Sequence, residues 1–212
     1  MPIGRTIRNL LGPLDRPIAE LYRSFFMSVP RFMDRVRRIK PTADAILEIG
    51  CGEGAICERL ARQYPTSQIL GIDLTPRTGR LYRGPVGRVT FRVVAAEEVA
   101  NQHAGEFDLI ILGDVMHHVP PKDRVELLRQ ADRLLRADGV FILKDWEPIP
   151  NLGNLASHIS DRYVSGEEVD FRFVADWIAL LHEVFGENVT IEERRIPPWR
   201  NNFMLSLRRN PS

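Results

Sequence analysis

Asp114, His117, His118 and Asp145 are four proton-handling side chains placed after two consecutive apolar runs. Imidazole titrates near neutral pH and a neighbouring carboxylate fixes its tautomer. His117 is therefore read as a general base, with Asp145, or alternatively Glu147, orienting its ring. His118 is a second candidate for the same work. Upstream, the stretch Glu48-Ile49-Gly50-Cys51-Gly52-Glu53-Gly54-Ala55 ends another apolar run. Glycines there let the backbone turn sharply and approach a ligand at a helix N-terminus. Gly50, Gly52 and Ala55 satisfy the dinucleotide pattern G-x-G-x-x-G/A, so a nicotinamide or flavin enzyme enters the field. Asp73, at the end of Ile-Leu-Gly-Ile-Asp, can accept both hydroxyls of a ribose, which favours an adenosine ligand of either kind.

Such residues must be positioned by elements, and the chain supplies them in alternation. Apolar runs at Ala45 to Ile49, Gln68 to Asp73, Thr90 to Ala95, Phe107 to Gly113 and Gly139 to Asp145 read as strands. Helix patterns lie between them, at Gly54 to Gln63 and at Lys122 to Arg136, the latter expected to close on Asp138-Gly139. That order predicts an α/β, doubly wound, Rossmann-like sheet. After a helix from about Phe173 to Phe185, Val189 to Arg195 and Phe203 to Arg208 read as a C-terminal antiparallel hairpin, so seven strands are expected, five of them parallel.

One domain is expected over residues 1–212, with four parts: an N-terminal helical cap at 1–40, a cofactor-binding core at 41–145, a substrate-covering segment at 146–175, and a last helix and hairpin at 176–212. Composition agrees with a globular domain, since 44% of the 212 residues are hydrophobic and Gly 15 and Pro 15 are scattered. No apolar run approaches the roughly 20 residues of a membrane span. Pro2, Pro13 and Asp15 interrupt any signal-peptide core, so the expected location is the cytoplasm. Cys51 and Cys57 are expected as reduced thiols, with no metal site. Lys+Arg 29 against Asp+Glu 28 gives no electrostatic case for nucleic acid. The basic run Arg31, Arg35, Arg37, Arg38 and Lys40 reads as the solvated face of an amphipathic helix. The same helix, with apolar and basic faces, is alternatively a peripheral membrane contact. Monomer and homodimer both stay open.

Leu47-Glu48-Ile49-Gly50-Cys51-Gly52-Glu53-Gly54 closely resembles the first motif of class I S-adenosylmethionine-dependent methyltransferases. Phe107-Asp108-Leu109-Ile110, leading to Asp114-Val115-Met116-His117-His118-Val119-Pro120, is similar to the fourth-strand motif of the small-molecule branch, which includes ubiquinone-type and natural-product O-methyltransferases. Leu134-Leu135-Arg136-Ala137-Asp138-Gly139 resembles that branch's approach to strand five. The joint order of these motifs covers roughly residues 44 to 145.

The resemblance implies S-adenosylmethionine as cofactor, S-adenosylhomocysteine as product, and a small-molecule acceptor. Glu48 would orient the amino group of the cofactor, Gly50, Cys51, Gly52 and Gly54 would line its methionine part, and Asp73 with Leu74 would hold the ribose side. Ala96, Glu97, Gly113 and Asp114 complete the implied cofactor set. Many relatives place an Asp after strand three, where this chain has Ala95-Ala96-Glu97-Glu98. Either Glu97 or the backbone alone makes the adenine contact, and Glu97 also reads as an N-cap. The His-His pair likewise reads as a helix-start feature packed near the cofactor. Tyr22, Phe26, Trp146 and Tyr163 are the acceptor-facing aromatics. The acceptor implied is a hydroxyl of a natural product. The alternatives are a quinone or lipid at a membrane surface, and a cofactor-binding protein with a non-methyl activity. A nicotinamide oxidoreductase lacks its Tyr-x-x-x-Lys pair here, where the lysines are Lys40, Lys122 and Lys144.

Overall fold

The computed structural model describes residues 27–149, 169–199 and 201–211. Seven strands form one sheet, β1 Ala45–Ile49, β2 Gln68–Asp73, β3 Val89–Val93, β4 Phe107–Gly113, β5 Leu135–Trp146, β6 Val189–Arg195 and β7 Asn202–Arg209, in the order β3-β2-β1-β4-β5-β7-β6. The first five run parallel, and β7 pairs antiparallel with both β5 and β6. The helices are α1 Val29–Ile39, α2 Ala55–Gln63, α3 Ala96–Gln102, α4 Pro121–Leu134 and α5 Val174–Phe185.

Period-two alternation sends successive residues of each strand to opposite faces, and both faces are covered. Leu47, Ile110, Leu112, Phe141, Leu143, Phe203, Leu205 and Leu207 pack with α3, α4 and α5. Ile46, Ile69, Leu109, Ile111, Val140, Ile142 and Met204 pack with α1 and α2. Helix α1 joins by its stripe Phe32, Met33 and Val36, all buried, while Arg31, Arg37 and Arg38 are exposed and Arg35 is half-buried. Tyr22, Phe26 and Tyr163, with most of the expected cap and substrate segment, lie outside the described residues.

The parallel core and the terminal hairpin agree with expectation, and four of the strand ranges agree residue for residue. β7 runs one residue further at each end, and two boundaries move by more. β3 begins and ends earlier than expected, because Val89 already pairs with Ile69. Helix α4 ends at Leu134 rather than on Asp138-Gly139: Leu135 is extended and pairs with Phe107, and Val140 with Leu109, so residues 136–139 form an irregularity inside β5. Edge pairing with β4 prevails over the local turn signal. The two cysteines are free thiols, both buried.

One packing contact holds the α4–α5 layer together. Trp177 is fully buried, and the Arg124 guanidinium lies 5.0 Å from its ring centre. Trp177→Ala should therefore lower unfolding free energy by about 3–5 kcal/mol. The exposed Leu74→Ala should change it by less than about 0.5 kcal/mol. Urea denaturation followed by circular dichroism measures both.

Candidate active site

The parallel strands end along one edge, and the loops leaving β1, β2 and β4 meet there. Gly50, Gly52 and Gly54 all take positive φ, at 75°, 50° and 92°, so the turn from β1 into α2 runs through backbone that side chains resist. The loop is clamped from behind, as Gly50 and Cys51 donate backbone N–H bonds to Ile72 O at 2.8 and 3.0 Å. A Cβ on Gly50 would stand 2.0 Å from Val115 Cγ2, whereas one on Gly52 would meet nothing within 4 Å. Gly50 thus lets two loops touch, and Gly52 opens toward space that a ligand can fill.

Asp73 ties the neighbouring loop to this turn. Its Oδ2 accepts the Gly52 N–H at 2.7 Å and its Oδ1 the Thr75 N–H at 2.9 Å. Each carboxylate oxygen offers about two acceptor positions, so a second donor fits each one. Leu74 beside it is 75% exposed, an apolar side chain at the rim. Glu48 is buried on the inner side of the turn, next to Cys57 of α2. The Cys57 thiol is pushed well above its usual pKa by burial, helped by Cys51 and the Glu48 carboxylate, so it stays neutral. Cys51 is buried beside it, its Sγ 3.8 Å from Gly52 O. Ala96 is buried in the first turn of α3 and Glu97 is exposed there; the N-cap position belongs to Ala95, so Glu97 does not cap the helix.

The proton-handling residues converge after β4 and β5. Asp145 is fully buried; its Oδ1 lies 2.5 Å from His117 Nδ1 and accepts the Trp146 N–H at 2.8 Å, and its Oδ2 accepts the His117 N–H at 3.1 Å. A carboxylate only accepts, so Nδ1 carries the ring proton toward it. Glu147 does not compete for this role, because it accepts the Val174 N–H at 2.7 Å and pairs with Arg195. His117 is 6% exposed, with its ring stacked on Phe171 at 5.0 Å between centroids and tilted at 45° to the His118 ring at 4.0 Å. His118 itself is exposed.

Lys144 is a member of this site that sequence reasoning passed over. It is 1% exposed, donates to Asp114 Oδ1, and lies 5.1 Å from the Trp146 ring centre. Trp146 Nε1 donates to the same Oδ1 at 2.8 Å. Trp146 is therefore buried in a polar cluster rather than standing open at a mouth, since its ring has a charged neighbour and its N–H a partner. Gly113 sits in register with Lys144, and the next residue, Asp114, is the one non-glycine with positive φ among the described residues, at 57°. The readable signal for Lys144 was a lone lysine between the apolar run Val140–Leu143 and Asp145. Partial burial pushes the Asp114 carboxyl up, but the Lys144 ammonium, His117 and two hydrogen bonds outweigh it and hold it below the usual carboxylate range.

The glycine turn, open at Gly52, the twin acceptors of Asp73 and the exposed Leu74 suit a ligand bearing an adenosine, which is the fit that S-adenosylmethionine requires. Among the described residues no group of side chains is arranged to hold a metal ion. No helix among them is long and apolar enough to cross a membrane.

Comparison with known proteins bears on this geometry. Residues 46–139 match the family model described as a methyltransferase domain. A ubiquinone biosynthesis O-methyltransferase of Xanthomonas axonopodis pv. citri is 29% identical over 181 residues, which is 81% of this chain and 74% of that one. Its counterpart in Xanthomonas oryzae pv. oryzae is 28% identical, covering 77% and 71%. In fold, the chain is similar to the 1,6-didemethyltoxoflavin-N1-methyltransferase of Burkholderia thailandensis, with TM-score 0.67, 17% identity and coverage of 97% and 88%. It is equally similar to the plantazolicin methyltransferase BpumL, with TM-score 0.67, 16% identity and coverage of 99% and 96%.

The depressed Asp114 carboxyl makes a pH prediction. Its stabilising charge is present above the unfolded carboxylate value of about 4 and is lost as pH falls through the lower folded value. Asp114→Asn should therefore be less stable than wild type at neutral pH, with the gap closing below about pH 4. Paired urea titrations from pH 7 to pH 3 check this; a gap that stays constant would contradict it.

Proposed function

We propose that this chain, which belongs to the class I S-adenosylmethionine-dependent methyltransferases, methylates a hydroxyl of a small hydroxylated aromatic acceptor, with His117 as general base and Asp145 as the residue that orients it. The observation carrying the reading is the 2.5 Å contact between His117 Nδ1 and the fully buried Asp145, placed where the β4 and β5 loops meet the glycine turn. The similar Xanthomonas proteins are named as O-methyltransferases of ubiquinone biosynthesis, which supports an oxygen nucleophile on an aromatic ring.

S-adenosylmethionine supplies a sulfonium-bound methyl group that is already electrophilic. Gly50, Cys51, Gly52 and Gly54 would line its methionine part, Glu48 would orient its amino group, and the Asp73 carboxylate would receive the ribose hydroxyls. Leu74, Ala96 and Glu97 would flank the adenine, and Gly113 with Asp114 would close the cradle from β4. The work left to the protein is alignment, exclusion of water and removal of one proton.

That proton belongs to the acceptor hydroxyl. With Nδ1 committed to Asp145, proton acceptance runs through Nε2 of His117 as the acceptor oxygen takes the methyl group. The Asp145 carboxylate stabilises the imidazolium that forms. Phe171 stacks on the ring and His118 packs against it at a tilt, which together hold its plane. Asp114, held ionised by Lys144 and Trp146, offers a fixed acceptor at the rim for a second hydroxyl, such as the neighbour in a catechol. Tyr22, Phe26 and Tyr163 remain candidates for covering the acceptor.

The test is transfer from S-adenosylmethionine labelled in its methyl group to a panel of catechols and hydroquinones. Wild type should yield methyl ethers. His117→Ala should lower kcat by about 100-fold or more. Its S-adenosylmethionine Kd should stay within about twofold, while Asp73→Ala should weaken that Kd by about tenfold or more. Full turnover by His117→Ala with an accepted substrate would remove the base from the reading, and failure to bind S-adenosylmethionine would remove the reading itself.

A further inference from the structure

The outer part of the sheet carries a feature that methyl transfer does not use. Where β6 and β7 extend past β5, the face toward α1 changes from apolar to charged. Thr190, Glu192 and Arg194 of β6 stand across from Arg208, Ser206 and Met204 of β7. Helix α1 lies over this face with Arg35, Arg38 and Ile39, and between the two layers is a cavity of about 320 Å³. That is near the lower end of the roughly 300–1,000 Å³ of small-molecule sites. It is separate from the candidate active site: Ser206 pairs with Ile142 while Phe203 pairs with Asp145, a displacement of about 10 Å along β7. Ile142 also faces the opposite side of the sheet from Leu143 and Phe203.

Its charges do not cancel. Arg194 is paired with Glu192 at 3.0 Å and Arg38 with Asp34 at 2.9 Å. Arg35 and Arg208 meet only backbone carbonyls, those of Arg195 and Ile39 respectively, and no carboxylate within salt-bridge distance among the described residues. A guanidinium has five N–H donors in a planar fork, so each keeps most of its donors. Burial, followed by repulsion from Arg194 and Arg31, lowers the Arg35 pKa despite Asp34, as expected where positive charge is crowded. At the floor lies Ser206, 4% exposed, whose hydroxyl can both donate and accept a hydrogen bond.

We propose that this cavity binds the phosphate group of a small soluble molecule, a phosphate monoester or diphosphate. Planar forks from Arg35, Arg194 and Arg208 match tetrahedral oxygens, and Ser206 donates to a fourth acceptor. A space of this size takes one phosphorylated group. A continuous polynucleotide backbone would run against Glu192 and the nearby Asp34.

Calorimetric titration of the whole chain with inorganic pyrophosphate tests the site without any methyl-transfer assay. One saturable site is expected, weakened about tenfold by Arg194→Gln and by Ser206→Ala. Arg129→Gln, on α4 beyond the other face of the sheet, removes the same charge and should leave the affinity within about twofold. Circular dichroism verifies that the variants are folded, and Arg194→Gln, at a half-exposed position, keeps the test valid if Ser206→Ala is not. Absence of saturable binding overturns the proposal, as does equal weakening by Arg129→Gln. Binding of an oligoribonucleotide, or of vesicles containing phosphatidic acid, in the absence of pyrophosphate binding would overturn it too.

Discussion

A carboxylate with no access to water must have its charge met by donors, and Asp145 is such a group. Removing a carboxylate from water costs several kcal/mol even after relaxation, and one missing partner would leave that cost uncompensated. Three donors meet it: the backbone of His117, the His117 ring and the backbone of Trp146. Two of the three come from the loop after β4, so the loop and the end of β5 cannot move independently. The neighbouring bond from the Asp114 N–H to Lys144 O repeats the tie three residues earlier in the loop and one residue earlier in β5.

From this anchor the rest of the rim follows. His117 O accepts the Asp170 N–H at 2.9 Å, and Asp170 is held by Arg124 of α4 through two bonds of 2.9 Å. The chain returning toward α5 is thereby fastened over the His117 ring, which brings Phe171 into its stack. Trp177 in α5 lies under the same Arg124 guanidinium. The cofactor half is built differently, from backbone: glycines at positive φ and one carboxylate, Asp73, joining two loops. Val115 links the halves, because it occupies the space that a side chain at residue 50 would need.

Much of this was readable before any coordinates. The parallel core depends on apolar runs with glycine or aspartate at their ends, and such runs are long enough for periodicity to show. The ranges of β1, β2, β4 and β6 follow from that pattern alone. The junction of α4 and β5 was misread because Asp138-Gly139 is a strong local turn signal, while the deciding interaction, Leu135 against Phe107, is distant in the chain. His117 with Asp145 was legible from residue type and strand position, but the choice of Asp145 over Glu147 was not, since it depends on Val174 and Arg195 occupying Glu147. Lys144 and the arginine cavity escaped for a related reason: a lone charge in an apolar run acquires meaning only when the residue across the sheet is known.

The proposed general base requires that Asp145 hold the His117 ring with its proton on Nδ1, leaving Nε2 to accept a proton. Nitrogen NMR of ¹⁵N-histidine-labelled protein at neutral pH, with His117 assigned through His117→Gln, reads the tautomer directly. A protonated, pyrrole-type Nδ1 and a pyridine-type Nε2 are expected, with that preference weakened in Asp145→Ala. A ring protonated on Nε2 alone in the wild-type protein would contradict it.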